Sequence, residues 1–349
     1  MRAARWYARG DIRIDTVHVP SPAPDEALIR VLYCGICGTD LEEFRDGPVT
    51  IPTSPHPVSG HCAPLTLGHE VVGQVVIAAA DGSGPPVGQI VIPDVVVGCG
   101  TCWWCARHED GLCERLSVRG QTDDGGLADY MLARARTCLA VPSSLEPAIA
   151  AFAEPLAVAV RAVRKCVRPM GVRAAVLGGG TVGQLVAQVL VANGASQIIV
   201  VDPVAERRST AEQSKWVKAC SPEDFAAIVA SIPQPGLDVV FECTGRPTLL
   251  ATAVGAVRSG GLVVAVGLHS GGEPVPLVDL VLGEKTVVGS AAHVWDVDVA
   301  LALELLASGQ VDCSELLTHQ VPLSNLVSEG LSLLADPDSG AMKVLIDCA

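Results

Sequence analysis

Aromatic side chains are scarce in this sequence, because only 3% of its 349 residues are Phe, Trp or Tyr. The core must therefore be built from aliphatic residues, which the hydrophobic content of 49% can supply. Basic residues are also few: 24 Lys and Arg stand against 38 Asp and Glu, which gives a formal net charge of -14. An acidic surface repels phosphate backbones and anionic lipid headgroups, so we expect neither nucleic acid nor membrane as a partner. A small-molecule ligand fits this composition better.

The N-terminal segment lacks the apolar core of a secretory signal peptide, since charged residues occur at Arg9, Asp11 and Arg13. This pattern predicts a cytoplasmic protein. In a reducing compartment the 13 cysteines are expected to be metal ligands or buried thiols, because disulfides would not persist there. The odd number also excludes complete pairing.

Four cysteines are clustered with the spacing Cys-x2-Cys-x2-Cys-x7-Cys, namely Cys99, Cys102, Cys105 and Cys113. Tetrahedral tetrathiolate zinc needs cysteines close enough to turn the chain around the ion, and this spacing places all four in one lobe. The pattern predicts a closed, structural zinc site. Removing the metal should unfold the lobe without directly affecting catalysis.

A second set of possible metal ligands is dispersed along the sequence. Cys37, flanked by Gly35 and Gly38, supplies sulfur, His69 supplies nitrogen, and Glu154 supplies oxygen. A catalytic zinc typically has few protein ligands of such mixed type and keeps one position open. Glu154 is a lone acid in an apolar run, where a charge is costly unless it is paired or metal-bound. A carboxylate at a helix start is the alternative interpretation.

Other cysteines and histidines near these ligands favour different interpretations. Cys34 stands at Cys-x2-Cys spacing from Cys37 and could be a ligand or a redox partner, but its apolar context is more typical of a strand core. His56 and His61 lie in a long, proline-rich loop at 45–66, which is a candidate wall of the substrate pocket. We favour solvated loop histidines over zinc ligands here.

The stretch 174–201 contains no charged residue, yet glycines and amides divide it into segments too short to cross a bilayer. The order of these segments is strand, glycine turn, helix, turn and strand. The turn, Gly178-Gly179-Gly180-Thr181-Val182-Gly183, matches the dinucleotide-binding pattern G-x-G-x-x-G in its required context. Gly178 makes the tight turn, Gly180 admits a pyrophosphate, and Gly183 lets the helix pack on the sheet.

Asp202 ends the second strand of this predicted unit. A carboxylate at that position hydrogen-bonds ribose hydroxyls and repels a 2′-phosphate, so the sequence predicts NAD rather than NADP. Arg207 and Arg208 weaken the preference, because an arginine nearby can pair with the phosphate. A strand-end turn residue is the alternative interpretation of Asp202.

The two halves of the chain have different patterns. Residues up to 155 predict a mainly β domain, with short antiparallel strands joined by a proline-rich turn within 13–31 and further strands within 71–80 and 89–97. Later patterns predict strands at 237–242, at 262–267 after Gly260-Gly261, and at 287–290, with helices at 247–257 and 297–306. Strands alternating with helices imply an α/β protein with a doubly wound, parallel Rossmann sheet.

A strand at 343–346 could return to the first domain. We therefore predict a catalytic domain at 1–155 with its zinc lobe at 99–113, an NAD-binding Rossmann domain at 156–290, and a C-terminal return at 291–349.

Taken in order, these motifs resemble the zinc-dependent medium-chain alcohol dehydrogenases, and the resemblance runs essentially from end to end. Segments 46–48, 56–57, 63–64, 67–70 and 305–312 are most similar to the 2,3-butanediol dehydrogenase and sorbitol dehydrogenase branch. The resemblance implies a Rossmann domain inserted into a GroES-like catalytic domain. It also implies one catalytic zinc, one structural zinc, and hydride transfer between the substrate and NAD.

The resemblance further implies roles for three residues beside the mixed ligand set. In that family Glu70 lies beside the metal and can exchange with Glu154. Thr39 matches the Thr or Ser that relays the alcohol proton toward the cofactor ribose. Glu42 occupies the place where a histidine usually leads the proton to solvent, and a carboxylate is the weaker base near neutral pH.

The branch resemblance implies a small vicinal diol or polyol as substrate, with the ketone as product. It also implies a homo-oligomer, either a dimer or a tetramer, for which the apolar strand near Val287 is a candidate pairing edge. Three alternatives remain open: a sugar, cyclitol or other secondary alcohol in a specialised pathway; threonine; and a non-catalytic, nucleotide-binding zinc protein. The joint presence of Cys37, Thr39, His69 and Glu154 argues against the last.

Overall fold

The computed structural model describes residues 1–268 and 274–349, which fall into two compact units. The first unit comprises Met1–Ala157, His293–Gly309 and Cys313–Ala349. The second comprises Val158–Ala292 and Gln310–Asp312. Along the sequence, the second unit is therefore an insertion in the first.

Most elements up to residue 164 are strands. The strands are β1 (Arg2–Ala8), β2 (Asp11–Thr16), β3 (Glu26–Gly35), β4 (Leu65–Thr66), β5 (Glu70–Ile77), β6 (Ile90–Pro93), β7 (Val96–Val97), β8 (Ser117–Val118), β9 (Tyr130–Arg134) and β10 (Cys138–Ala140). The helices are α1 (Gly38–Asp46), α2 (Pro147–Ala150) and α3 (Ala153–Arg164).

Strands and helices alternate in the inserted unit. They are β11 (Arg173–Leu177), α4 (Thr181–Ala192), β12 (Gln197–Val201), α5 (Ala205–Ala211), β13 (Val217–Cys220), α6 (Pro222–Ser231), β14 (Leu237–Glu242), α7 (Pro247–Ala256), β15 (Val257–Ala265), α8 (Leu277–Leu282) and β16 (Thr286–Gly289). The remaining elements are α9 (Ala300–Ala307), β17 (Leu317–Pro322), α10 (Ser332–Ala335) and β18 (Lys343–Asp347).

The largest sheet of the first unit has the strand order β10-β6-β5-β3-β18-β17, and β9 also pairs with β3. β18 is antiparallel to β3, with Ile346 opposite Cys34. Both side chains are fully buried in the aliphatic core, together with Ile29 and Val344. Cys34 is thus a core residue, as its apolar context predicted, and β18 places the end of the chain in the first unit.

The sheet of the second unit has the order β13-β12-β11-β14-β15-β16, and every neighbouring pair is parallel. The predicted doubly wound Rossmann sheet is therefore confirmed. The strand order reverses at β11, which lies between β12 and β14. In such sheets ligands bind beyond the carboxyl ends of the strands at that point.

The uncharged stretch 174–201 folds as β11, α4 and β12, which is the order that its glycines and amides predicted. Within residues 1–268 and 274–349, no helix is both long and apolar enough to cross a bilayer.

Three local predictions differ from the structure. Gly260 and Gly261 were expected to precede a strand, but they lie inside β15, where a Cβ on Gly261 would be 2.5 Å from Val257 Cγ2. The proline-rich segment after β2 does not close a hairpin, because β2 pairs with β1 while β3 pairs with β5 and β9. The helix expected at 297–306 begins as a π-helical turn at Trp295–Val299, and α9 follows it.

Candidate metal and cofactor sites

Cys37 lies between the end of β3 and the start of α1, at the N-cap position of that helix. Its backbone N–H donates a hydrogen bond to Asp40 Oδ2 over 2.9 Å. Asp40 is only 2% exposed, so this contact anchors the turn from the interior. Cys37 is therefore held on a fixed strand-to-helix turn.

His69 immediately precedes β5 and is buried. Its Nδ1 lies 3.8 Å from Asp40 Oδ1, and its Nε2 lies 3.4 Å from Thr39 Oγ1. Cys37 and, more weakly, Glu154 are close enough to act on the ring electrostatically. The structure thus brings Cys37, Thr39 and His69 together, and Glu154 lies nearby.

Glu154 lies in the first turn of α3, with its side chain 12% exposed. Its Oε1 is 3.5 Å from Nδ1 of His293, and the Nε2 of that histidine is 3.0 Å from Asp94 Oδ1. The sequence analysis did not identify His293 or Asp94. Asp94 carried a usable signal, because it is a lone acid between Pro93 and Val95, just as Glu154 is a lone acid in an apolar run.

The electrostatics of this cluster favour a cation. Burial alone would lower the pKa of His69, but Asp40 and Cys37 outweigh it and raise that pKa well above the usual value. For Glu154, in contrast, burial raises the pKa, because a buried carboxylate is costly to ionise until a positive charge lies beside it. Sulfur, imidazole nitrogen and carboxylate oxygen are the donors that catalytic zinc sites use. The residues present therefore fit a catalytic zinc ion.

Glu70 is paired with a cation of the protein itself. The whole Glu70 residue is 1% exposed, and its side chain forms an ion pair with Lys343 Nζ. Lys343 Nζ also donates to Ile36 O over 3.0 Å. Burial alone would lower the pKa of Lys343, but Glu70 and then Cys37 outweigh it, so the net pKa is raised. A Cβ on Gly35 would lie 2.0 Å from Glu70 Oε2, so the space beside this glycine is filled by Glu70 and not by a ligand.

The four cysteines of the predicted lobe are Cys99, Cys102, Cys105 and Cys113, and their sulfur atoms all lie within 4.8 Å of one another. The Sγ atoms of Cys102 and Cys105 are 3.5 Å apart, and the N–H groups of Cys99 and Arg115 point to Cys113 Sγ at 3.4 Å each. Hydrogen bonds from the Thr101 backbone N–H and hydroxyl are the main causes that lower the pKa of Cys99 to about 5, which favours a thiolate, whereas burial and Asp110 raise the pKa of Cys105. The arrangement fits a closed tetrathiolate zinc site.

The cysteine lobe and the dispersed ligand set differ in the distances between their own donor atoms. Across residues 1–268 and 274–349, the lobe is the only group of three or more such donors within 4.8 Å of one another. Cys37, His69 and Glu154 are more widely separated, and Glu154 Oε1 has His293 as its near neighbour.

The glycine turn joins β11 to α4, as predicted. Gly178 has φ +99°, a conformation that side chains disfavour, and a Cβ there would lie 2.6 Å from Thr244 Cγ2. A Cβ on Gly183 would lie 1.8 Å from Gly178 O, so the helix can approach the turn only because this residue is glycine. Gly180 is the N-cap of α4 and faces open space, and Thr181 and Val182 form the first turn of the helix. The helix N-terminus is therefore accessible to a phosphate group.

Asp202 follows β12 and is 3% exposed. Its Oδ2 accepts the Gly179 N–H and its Oδ1 accepts the Val204 N–H, both at 2.8 Å. Arg207 Nη1 lies 3.8 Å from Asp202 Oδ2. The Asp202 carboxylate thus fixes the glycine turn beside the proposed ribose site. The partly exposed Arg207 lies next to that carboxylate.

The remaining predicted residues lie on the surface or in loops. Glu42 is on an exposed position of α1, where partial burial, Asp46 and Glu43 raise its pKa. His56 lies in the predicted loop. His61 is half exposed but is not simply solvated, because its Nδ1 hydrogen-bonds Asp123 Oδ1.

Comparison with known proteins agrees with this arrangement. Residues 23–143 match the family model described as alcohol dehydrogenase GroES-like domain, and residues 181–308 match zinc-binding dehydrogenase. The (R,R)-butanediol dehydrogenase of Bacillus subtilis is 33% identical to this chain over 99% of both sequences. The chain belongs to the zinc-binding alcohol dehydrogenase family.

Solved structures of the family extend the comparison. A crystal structure of 2R,3R-butanediol dehydrogenase from Bacillus subtilis matches with a TM-score of 0.91 at 32% identity, over 99% of each chain. A zinc-binding dehydrogenase from Sinorhizobium meliloti, solved with NADP bound, matches with a TM-score of 0.87 at 30% identity, over 99% of this chain and 98% of that one. This zinc-binding alcohol dehydrogenase is thus an enzyme of the zinc- and nicotinamide-dependent type, and its GroES-like and Rossmann regions are confirmed.

Proposed function

We propose that this dehydrogenase interconverts a small vicinal diol or polyol and the corresponding ketone, with NAD as the preferred hydride acceptor. The observation that carries the proposal is the grouping of partly buried Cys37 and Thr39 around the buried His69, with Glu154 nearby. The substrate class is supported by the printed names of the Bacillus subtilis relatives.

Cys37, His69 and Glu154 would hold the catalytic zinc ion, and the four-cysteine lobe would hold the structural one. When bound, the catalytic zinc supplies a positive charge that lowers the pKa of an alcohol O–H, and NAD supplies the hydride acceptor. Asp40 contributes a negative charge 3.8 Å from His69 Nδ1, while Nε2 of the same ring lies toward Thr39. Glu70 is the less favoured metal carboxylate, because Lys343 already neutralises it.

Thr39 is placed to move the substrate proton. A hydroxyl accepts one hydrogen bond and donates another, so Thr39 Oγ1 can take the proton of a bound alcohol while releasing its own. Glu42 would then pass the proton to solvent. Its raised pKa makes this carboxylate a better base near neutral pH than an ordinary glutamate, which supports its use in place of histidine.

The cofactor preference rests on Asp202, whose negative charge opposes a 2′-phosphate. The glycine turn of Gly178, Gly180 and Gly183 would receive the pyrophosphate at the N-terminus of α4. Arg207 lies 3.8 Å from the Asp202 carboxylate, so the positive charge of the arginine is already partly neutralised and attracts a 2′-phosphate less strongly.

The proposal includes a cytoplasmic homo-oligomer, a dimer or a tetramer. β16 is the last strand of the parallel sheet, and an edge strand offers unpaired backbone groups to a second copy. The preceding helix α8 exposes four apolar side chains, whose exposed fractions are 65% for Leu277, 75% for Val278, 69% for Val281 and 82% for Leu282. A contiguous apolar surface of this kind typically marks an interface.

The activity is tested by following NADH absorbance with a panel of diols, polyols and ketones, each supplied with NAD and with NADP. We expect two zinc ions per chain in the purified protein and the fastest turnover with vicinal diols and NAD. Cys37→Ser should abolish turnover, retain NAD binding and retain one zinc ion. Full turnover in Cys37→Ser would refute the metal assignment.

Oligomer formation is tested by the double substitution Val281→Asp and Leu282→Asp, with sedimentation as the measurement. We expect the variant to sediment as a smaller species, whereas Val167→Asp, at an exposed valine in the loop after α3, should leave sedimentation unchanged. Identical sedimentation of all three proteins would exclude α8 as the interface.

A further inference from the structure

Asp94 and His293 form a buried pair that the reaction as proposed so far does not use. The ring Nε2 of His293 lies 3.0 Å from Asp94 Oδ1, and the side chains are 1% and 5% exposed. Asp94 Oδ1 also accepts the Val96 N–H over 3.1 Å, so the carboxylate is fixed to the backbone of β7. Because a carboxylate can only accept, Nε2 must carry the proton of this hydrogen bond.

The other ring nitrogen of His293 faces the proposed metal carboxylate. Nδ1 is buried and has no hydrogen-bond partner within residues 1–268 and 274–349. Its near neighbour is Glu154 Oε1, at 3.5 Å, and Nδ1 can donate to that carboxylate when the ring carries a proton on both nitrogens. A buried polar atom without a hydrogen-bond partner lowers the stability of the folded protein. The presence of His293 Nδ1 at this position therefore points to a role in the metal-loaded site.

We propose that Asp94 and His293 act as a positioning pair that holds the Glu154 carboxylate in the orientation needed for the catalytic metal. This inference rests on the proposed function, in which Glu154 is a zinc ligand. A glutamate side chain has several rotatable bonds, and fixing it before the metal arrives reduces the entropy lost on binding. Groups that orient a metal ligand typically change metal affinity about 10–100-fold when they are removed.

The two nitrogens of His293 can be tested separately with amide side chains. An asparagine amide nitrogen lies close to the place of Nδ1, so His293→Asn can still reach Glu154. A glutamine amide nitrogen lies close to the place of Nε2, so His293→Gln can still reach Asp94. His293→Leu removes both contacts. His319→Asn is a matched control, because His319 Nδ1 is also buried and has no hydrogen-bond partner in the part of the chain that the structure describes.

The main measurement is zinc affinity by competition with a chelator, with the four-cysteine site of the same chain as internal reference. We expect His293→Leu to bind one of its two zinc ions about 10–100-fold more weakly, while the other is unchanged. His293→Asn should recover most of the affinity and His293→Gln should recover less. His319→Asn should match the wild type.

A second measurement uses the cobalt-substituted protein, whose visible absorption reports the geometry around the metal. We expect the catalytic-site band of His293→Leu to shift and broaden, and the band of His293→Asn to stay close to that of the wild type. In turnover, kcat should fall more than KM rises, since the pair acts on the metal and not on substrate binding.

The outcomes separate this inference from the proposed function. If Cys37→Ser and Glu154→Gln both keep two tightly bound zinc ions, the proposed function itself fails. If those variants lose one zinc while His293→Leu binds both as the wild type does, only the positioning role is overturned. Equal losses in the Asn, Gln and Leu variants would also overturn it, because they would indicate packing alone. Should His293→Leu fail to fold, the comparison of the Asn and Gln variants still decides.

Discussion

Lys343 and Glu70 form an ion pair in the interior of the first unit, and each side chain is only 2% exposed. Lys343 comes from β18 and Glu70 from the start of β5, so two distant parts of the sequence meet next to Ile36, the residue before Cys37. Lys343 also donates to Ile36 O, the carbonyl that precedes Cys37. The pair therefore joins the turn that carries the proposed zinc thiolate to two strands of the main sheet.

Removing the lysine should be strongly destabilising. Lys343→Met leaves the Glu70 carboxylate buried without a partner, and breaking a buried pair in this way typically costs about 3–5 kcal/mol. The free energy of unfolding, measured by denaturant titration of the zinc-loaded protein, checks this. Adding Glu70→Gln to Lys343→Met should restore much of the loss, because it removes the isolated charge. A double variant as unstable as the single one would contradict the ion-pair account.

The two glycines beside Cys37 should tolerate alanine very differently. At Gly35 a Cβ would lie 2.0 Å from Glu70 Oε2 and 2.9 Å from Lys343 Cε, so Gly35→Ala must displace the ion pair. We expect Gly35→Ala to lower the free energy of unfolding by about 1–3 kcal/mol and to weaken zinc binding. Gly38→Ala is the control, because no described residue beyond its chain neighbours and its own helix backbone lies within 4 Å of its Cβ position, and alanine is the better helix former. Equal effects at both positions would disprove the crowding at Gly35.

Cofactor choice should respond to the charge of Asp202. Asp202→Asn keeps an oxygen that can accept the Gly179 N–H, gives up the acceptor of the Val204 N–H, and removes the negative charge that opposes a 2′-phosphate. We expect the ratio of kcat/KM for NADP to that for NAD to rise about tenfold or more, which corresponds to about 1.4 kcal/mol. Asp224→Asn, at an exposed acid in the first turn of α6, should leave the ratio unchanged. An unaltered ratio in Asp202→Asn would remove this residue from cofactor selection.

The pair of His61 and Asp123 should make stability depend on pH within a defined window. The hydrogen bond to Asp123 raises the pKa of His61 above its ordinary 6.5. Stability from the histidine is therefore complete below 6.5 and is lost as pH rises through the raised value. Burial opposes ionisation of Asp123, but His61 and Arg119 prevail and lower its pKa below the ordinary 3.8. The carboxylate contribution is therefore present above 3.8 and is lost as pH falls through the lowered value.

The measurement for this pair is the difference in free energy of unfolding between the wild type and His61→Asn across the pH range. We expect the difference to be greatest at mildly acidic pH, between the two ordinary values, and to shrink on either side. A difference that is independent of pH would show that the ion pair does not contribute.

Sequence reasoning succeeded where the relevant residues are close together in the chain. The four cysteines span a short lobe, and the glycine turn lies between one strand and one helix, so spacing alone predicts their geometry. Cys37, His69 and Glu154 were identified by donor type and context, and their roles stay a prediction that zinc measurements must test.

Lys343, His293 and Asp94 could not be found in the same way, because only strand pairing and helix placement bring them to the site. Two of them did carry a signal that was not used. Asp94 lies between Pro93 and Val95, and Lys343 starts an apolar strand, so each is a charge where burial is expected. The partner of such a charge depends on register, and register between strands far apart in sequence cannot be read from local patterns.

The position of β18 next to β3 has a consequence for biosynthesis. β3 is made early, whereas β18 follows the entire second unit and emerges from the ribosome much later. The second unit, which is nearly continuous in sequence, can fold while the first still has a gap beside β3. Until β18 pairs with β3, Glu70 lacks its lysine and the edge of β3 at Cys34 is unpaired, so the N-terminal portion of the nascent chain completes its fold last.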